Sequence, residues 1–162
     1  MNANNDKPGD KQADRRALSS GARFYAVQAL YQMEAAGQSA ERVMREFETH
    51  RIGAESEDGS FLPADEALFA RIVDGAVTWQ SRIDQATDRG LVAKWPIDRI
   101  DPVLRALFRA AGAELVGLQT PPRVVIAEYV RLAEAFFPDG REPKFVNAVL
   151  DHVAREARPE AF

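Results

Sequence analysis

Arg15, Arg16 and Arg23 stand in "RRALSSGARFYAVQALYQMEAAG", just ahead of and inside a run whose apolar residues recur at threes and fours. A guanidinium is always charged, and its planar fork of donors fits a phosphate. Arg16 and Arg23 are seven residues apart, and Arg23 lies one turn before Val27. On a helix that reaches back this far, the Arg23 guanidinium emerges at the edge of the buried stripe. The first backbone N–H groups of such a helix and the positive end of its dipole favour the same anionic ligand. Solvated charge on the edge of a polar tail is the competing reading of these three residues.

Other chemistry finds little support. The two histidines, His50 and His152, sit among charged neighbours on helical segments and read as solvated imidazoles. His152 and Glu156 are one turn apart, as two metal ligands could be, but no third ligand has matching spacing. With no cysteine there is neither thiolate catalysis nor a sulfur-based zinc site. A Gly-rich phosphate loop is absent, "GAESEDGS" is too acidic to serve as one, and no serine has a base marked by a motif. The expectation is a binding protein, not an enzyme, with no cofactor and no metal.

Composition bounds the rest. With 21 Lys and Arg against 25 Asp and Glu, the net charge is -4, so a basic surface must be local and cannot be a coat. The 162 residues fit one domain. The absence of cysteine fits a reducing compartment, and neither a signal-peptide core nor a membrane-length apolar run is present, so the expected location is cytoplasmic.

The elements that must hold the arginines are helical throughout. Residues 1–17 are polar and are expected to form a mobile tail, with one folded domain over 18–162. Ser20 to Ala36 reads as an amphipathic helix closed by Gly37, and Ser39 caps a second that buries Val43, Met44 and Phe47 and ends near Gly53. Pro63 is placed in the first turn of a long third helix reaching Ile83, in which Gly75 admits a neighbouring backbone. Asp101 and Pro102 open the next helix, Thr120 and Pro121 another, and "EPKFVNAVLDHVARE" the last. Only "RVVIAEYV" is β-branched enough to be ambiguous with a strand. The fold class is all-α, a compact bundle of six or seven helices.

The segments "ARFYAVQALYQME", "FARIVDGAV", "RALFRAAGAEL", "VVIAEYVRLAEAFF" and "EPKFVNAVLD" follow one another in the order and spacing of the NusB family of bacterial transcription antitermination factors. The resemblance covers about Ala22 to Arg155 and is most specific in "AVQALYQ" and "KFVNAVLD". It implies two helical sub-bundles, no catalysis, and binding of single-stranded boxA RNA together with NusE, a small-subunit ribosomal protein. An RNA polymerase antitermination complex and transcription of rRNA operons follow from the same likeness.

By this resemblance Arg15, Arg16 and Arg23 contact phosphates, Lys144 touches the RNA backbone, and Phe145 stacks on a base; Phe145 reads equally as core. Tyr31 and its neighbour Gln28 match the NusE surface, although the Tyr31 hydroxyl could equally cap a buried ring. The face of Phe24, Val27 and Tyr31 wants covering, by NusE or by a second copy in a homodimer. Asn147 is assigned an internal hydrogen bond. The chain departs from the family where a denser arginine cluster is common, at Ser19, Ser20 and Gly21, and also at Ala113, Ala127 and Ala148. "FPDGREP" lengthens the loop before the last helix.

Two other readings stay beside this one. The first is a relative of the NusB-like domain of rRNA cytosine methyltransferases, but no cysteine-bearing catalytic domain follows before Phe162, so a free-standing adaptor is expected. The second is a helical adaptor acting through protein contacts alone.

Overall fold

Most of the helices start where a side chain caps, or a proline removes, one of the unpaired first-turn N–H groups. The computed structural model describes residues 8–55, 62–91 and 96–162. It contains α1 (Pro8–Ala36), α2 (Ala40–Glu46) continued by a π-helical turn (Phe47–Arg51), α3 (Glu66–Thr78), α4 (Gln80–Gly90), α5 (Pro102–Gly117), α6 (Pro122–Phe136) and α7 (Glu142–Ala157). A short 3-10 turn, Pro159–Ala161, follows. There is no strand among the described residues, so "RVVIAEYV" is helical, and no helix there is long and apolar enough to cross a membrane.

Several helix boundaries agree with the sequence reading. Ser39 Oγ accepts from the Arg42 N–H at 3.2 Å, and Asp101 Oδ1 accepts from the Val103 N–H at 2.7 Å ahead of Pro102. Gly37, at φ 64°, ends α1 in a conformation other residues rarely adopt.

Four boundaries differ, each for a local reason. The expected tail is helical from Pro8 onward; residues 1–7 lie outside the described residues, as do residues 56–61 of the expected acidic loop. Pro8 suits a first turn, Lys, Gln, Ala, Arg and Leu are good helix formers, and each added residue needs only propagation from the packed part of α1. Pro63 lies before α3, whose N-cap is Asp65, accepting from the Leu68 N–H at 3.0 Å. The long third helix is two helices that bend at Trp79 (φ -106°, ψ 16°). Ile83 follows Ala76 by seven residues, so the buried phase runs straight through the bend and conceals it. At α6 the N-cap is Pro121, one residue later than expected, because the Thr120 hydroxyl donates to Glu114 at 3.0 Å.

The two sub-bundles share one helix. α1, α2 and α3 pack together, α7 packs against α4, α5 and α6, and α5 touches α1, α3, α4, α6 and α7. α5 can be buried nearly all round because it is rich in Ala and Gly, with Leu107, Phe108 and Leu115 filling the spaces between its neighbours. At Gly75 an added Cβ would meet Ala113 Cβ at 3.2 Å, so α3 and α5 do approach there as closely as the sequence suggested. Phe47 stacks on Phe69 at 5.8 Å between ring centres, with Tyr25 edge-on to Phe47. At the α1/α5/α4 corner, Arg105 and Arg109 bracket Glu34, and Arg109 also grips Asp84 at 2.9 and 3.1 Å.

Candidate nucleic-acid interface

A face of α1 that is apolar after Ala22 is polar and cationic before it. Gln12, Arg16, Ser19 and Arg23 recur at fours and threes, and Lys11 and Arg15 flank them one turn apart. Across from them on α6, Arg123 and Arg131 are eight residues apart, two turns along one face. These residues line a cleft of about 820 Å³ between the two helices, with Val124, Ala127 and Glu128. Lys11, Arg15, Arg16, Arg123 and Arg131 are all exposed, so five positive charges converge on an otherwise acidic protein. Such a concentration holds an anion strongly at low salt.

Arg23 lies beneath this cleft and not on its rim. Its Nε donates to Glu114 Oε2 at 2.9 Å and its Nη2 to Glu114 Oε1 at 3.0 Å, while Nη1 stands 3.9 Å from Glu128 Oε2. Its side chain is 7% exposed, and that of Glu114 is 0%. Arg23 therefore differs from the expectation of a guanidinium emerging at the helix edge: it shares a face with Val27 and Leu30, and a charge on that face must be paired to be buried. Burial disfavours its charged form, but the Glu114 hydrogen bonds and charge outweigh this and raise its pKa above the ordinary value. The Tyr129 hydroxyl, fully buried, has no hydrogen-bond partner among the described residues; burial first, then the Glu114 carboxylate, push its pKa well above the usual range. Ser20 Oγ donates to Glu128 Oε2 at 3.0 Å, so α1, α5 and α6 are tied directly under the basic residues.

The structure brings Arg15 and Arg16 together with Lys11, Arg123 and Arg131. Lys11, Arg123 and Arg131 went unassigned in the sequence, where the i to i+8 spacing of Arg123 and Arg131 was the available signal. Gly21, a departure from the family's arginine-rich pattern, is buried, and an added Cβ there would strike the Pro63 carbonyl oxygen. That position has no room for an arginine.

Lys144 and Phe145 open α7 and do not line the cleft. Lys144 is exposed; Phe145 is half-buried, edge-on to Phe108 with 5.9 Å between ring centres. Asn147 is exposed, not internally bonded as expected, because Val146, Val149 and Leu150 take the buried phase of α7. Gln28 and Tyr31 share a separate groove of about 350 Å³ with Val27, Ala35, Val103 and Phe136. Tyr31 is 43% exposed, whereas Val27 is buried and Phe24 stacks on Phe136 at 5.7 Å, so only the Tyr31 end of the expected face is open. His152 Nε2 meets Glu156 at 2.9 Å, and Arg89 already holds that carboxylate; no group of metal-ligating residues occurs among the described residues.

Residues 20–155 match the NusB family. The chain is 48% identical over 150 residues to a transcription antitermination protein NusB of Maricaulis maris, covering 92% of this chain and 93% of that protein. The chain belongs to the NusB family. A second NusB, from Rhodopseudomonas palustris, is 44% identical over 155 residues, 95% of this chain and 89% of the relative. These relatives are transcription antitermination factors, a class without catalysis. Among solved structures, T. maritima NusB superposes with a TM-score of 0.70 at 28% identity, covering 88% of this chain and 95% of that one. The NusB of a complex of antitermination factors NusB and NusE with dsRNA gives a TM-score of 0.68 at 27% identity, covering 85% of this chain and 96% of that one.

Proposed function

We propose that this NusB-family protein is a cytoplasmic transcription antitermination factor. In this reading it binds single-stranded boxA-type RNA together with NusE, within an RNA polymerase antitermination complex that supports transcription of rRNA operons. The observation that carries the reading is the convergence of Lys11, Arg15, Arg16, Arg123 and Arg131 on one cleft of a chain whose net charge is -4. A neutral or acidic protein gains nothing for its core from five exposed cations gathered on one side, whereas an RNA backbone does.

Arg15 and Arg16 contact phosphates directly, with the opposite wall supplied by Arg123 and Arg131. Arg23 acts from below, fixing α1 against α5 through Glu114, so its effect on phosphate binding is indirect. Lys144 and Phe145 form a second RNA contact at the start of α7, the ammonium on the backbone and the half-buried ring stacked on a base. The groove holding Gln28 and Tyr31 takes NusE: it combines a half-exposed aromatic, an amide and an apolar floor, the mixture found at the centre of protein interfaces. The NusB relative in complex with NusE and dsRNA supports NusE and RNA as the two partners.

Co-purification of the chain with its host's NusE, with and without boxA RNA, tests it. A ternary complex more stable than either pair is expected. Retention of NusE with no effect of RNA would favour the adaptor that works through protein contacts alone, and a dimer that excludes NusE would assign the Tyr31 groove to a second copy.

A further inference from the structure

The basic cleft carries an acid in its floor. Glu128 is the one carboxylate among the described residues that line it. Its Oε2 accepts from Ser20 Oγ at 3.0 Å and lies 3.9 Å from Arg23 Nη1, while its Oε1 is 3.4 Å from Arg131 Nη1. The side chain is 17% exposed, so it is partly desolvated yet open to a ligand in the cleft. Arg23 does not need this charge, because Glu114 already neutralises it through two hydrogen bonds. Glu128 is thus a surplus anion whose field falls on Arg131 and on the other cations of the cleft.

Its surroundings are those a phosphate oxygen would choose: a hydroxyl donor and two guanidinium groups. We infer that Glu128 is a resident counter-anion that stands in the place of one phosphate and competes with RNA for Arg131, holding down the sequence-independent part of binding. The inference rests on the reading of the cleft as the RNA site. It adds to that reading a residue whose removal strengthens binding, the opposite of what loss of a structural contact does.

Glu128→Gln keeps the length of the side chain and can still accept from Ser20. Calorimetry at low salt on the full chain, with inorganic tripolyphosphate in one arm and a single-stranded RNA in the other, reads the effect. A unit charge about 6 Å away in a largely hydrated cleft corresponds to about threefold to tenfold tighter binding of both ligands by Glu128→Gln. For RNA, the plot of log affinity against log salt steepens by about 0.7, the counterions of one more phosphate. Equal or weaker binding of both ligands by a variant with unchanged helix content overturns the counter-anion, as does a gain in RNA affinity without a change of slope. Tighter tripolyphosphate binding while neither form binds RNA keeps the counter-anion and overturns the RNA reading. Wild type binding RNA with Glu128→Gln no tighter does the reverse. Should Glu128→Gln not fold, Arg131→Ala decides on a side chain that is 70% exposed. In the wild type Arg131 holds Glu128 and not a phosphate, so Arg131→Ala leaves the slope of log affinity against log salt unchanged whereas Arg15→Ala makes it shallower by about 0.7, and an equal loss of slope in the two variants overturns the proposal.

Discussion

Removing Glu114 should unfold the junction of α1, α5 and α6 more readily than any surface change. The carboxylate is fully buried and accepts two hydrogen bonds from Arg23 and one from Thr120. In Glu114→Ala the Arg23 guanidinium stays buried with only Glu128, at 3.9 Å, for company. Breaking a buried pair from one side costs about 3 to 5 kcal/mol, since the surviving charge keeps its desolvation penalty. For a domain of this size each kcal/mol moves the melting temperature by about 2 to 4 °C, so a fall of about 6 to 20 °C is expected. The double change Arg23→Met with Glu114→Leu removes both charges and should recover most of the loss. It should remain about 1 to 2 kcal/mol below wild type, because Thr120 has lost its acceptor. Urea unfolding followed by far-ultraviolet circular dichroism measures all three proteins. A loss below about 1 kcal/mol in Glu114→Ala, or a double variant as unstable as the single one, would refute the reasoning, because an uncompensated buried charge cannot be that cheap.

Tyr31→Asp should weaken NusE binding without altering helix content, and equal affinities by calorimetry would take Tyr31 out of that interface. Phe145→Ala should cost about 1 to 3 kcal/mol of RNA affinity with the salt slope unchanged, together with some stability lost at Phe108; undiminished RNA affinity would leave the ring to the core alone. The Glu34 carboxyl is held below its ordinary range by the Arg105 hydrogen bond, against the opposite pull of burial and with help from Arg109. The stability this adds is complete above the ordinary glutamate range and is lost as pH falls through the lowered value. Glu34→Gln should therefore flatten the acid limb of the stability curve, and parallel curves for the two proteins would contradict the pairing.

What the sequence made legible was set by short-range rules. Caps such as Ser39 and Asp101 act within three residues, and the buried phases of α5, α6 and α7 repeat over several turns, so both could be read from the chain. The bend at Trp79 could not, because the apolar phase continues across it without a breaker. The phase of α7 places Asn147 outward: its apolar neighbours Val146 and Ala148 suggest an internal amide, but the repeat of Val146, Val149 and Leu150 is the stronger signal. The fate of Arg23 depended on a partner 91 residues away, which nothing local announces. The cleft was half legible. Its α1 wall is a visible charge cluster, whereas Arg123 and Arg131 gain meaning only when α6 is laid beside α1.

The central claim is that the α1/α6 cleft holds RNA by its phosphates. The most direct measurement is RNA affinity against salt concentration for wild type, Arg16→Ala and Arg123→Ala, one from each wall, with a boxA-type and an unrelated single strand. If three to five phosphates are neutralised, the wild-type slope of log affinity against log salt is about -2 to -3.5. Each variant should be shallower by about 0.7 and weaker on both RNAs alike, since phosphate contacts carry no base information. Isotherms and slopes identical to wild type in both variants at low salt would contradict the account and leave the five cations as solvated charge.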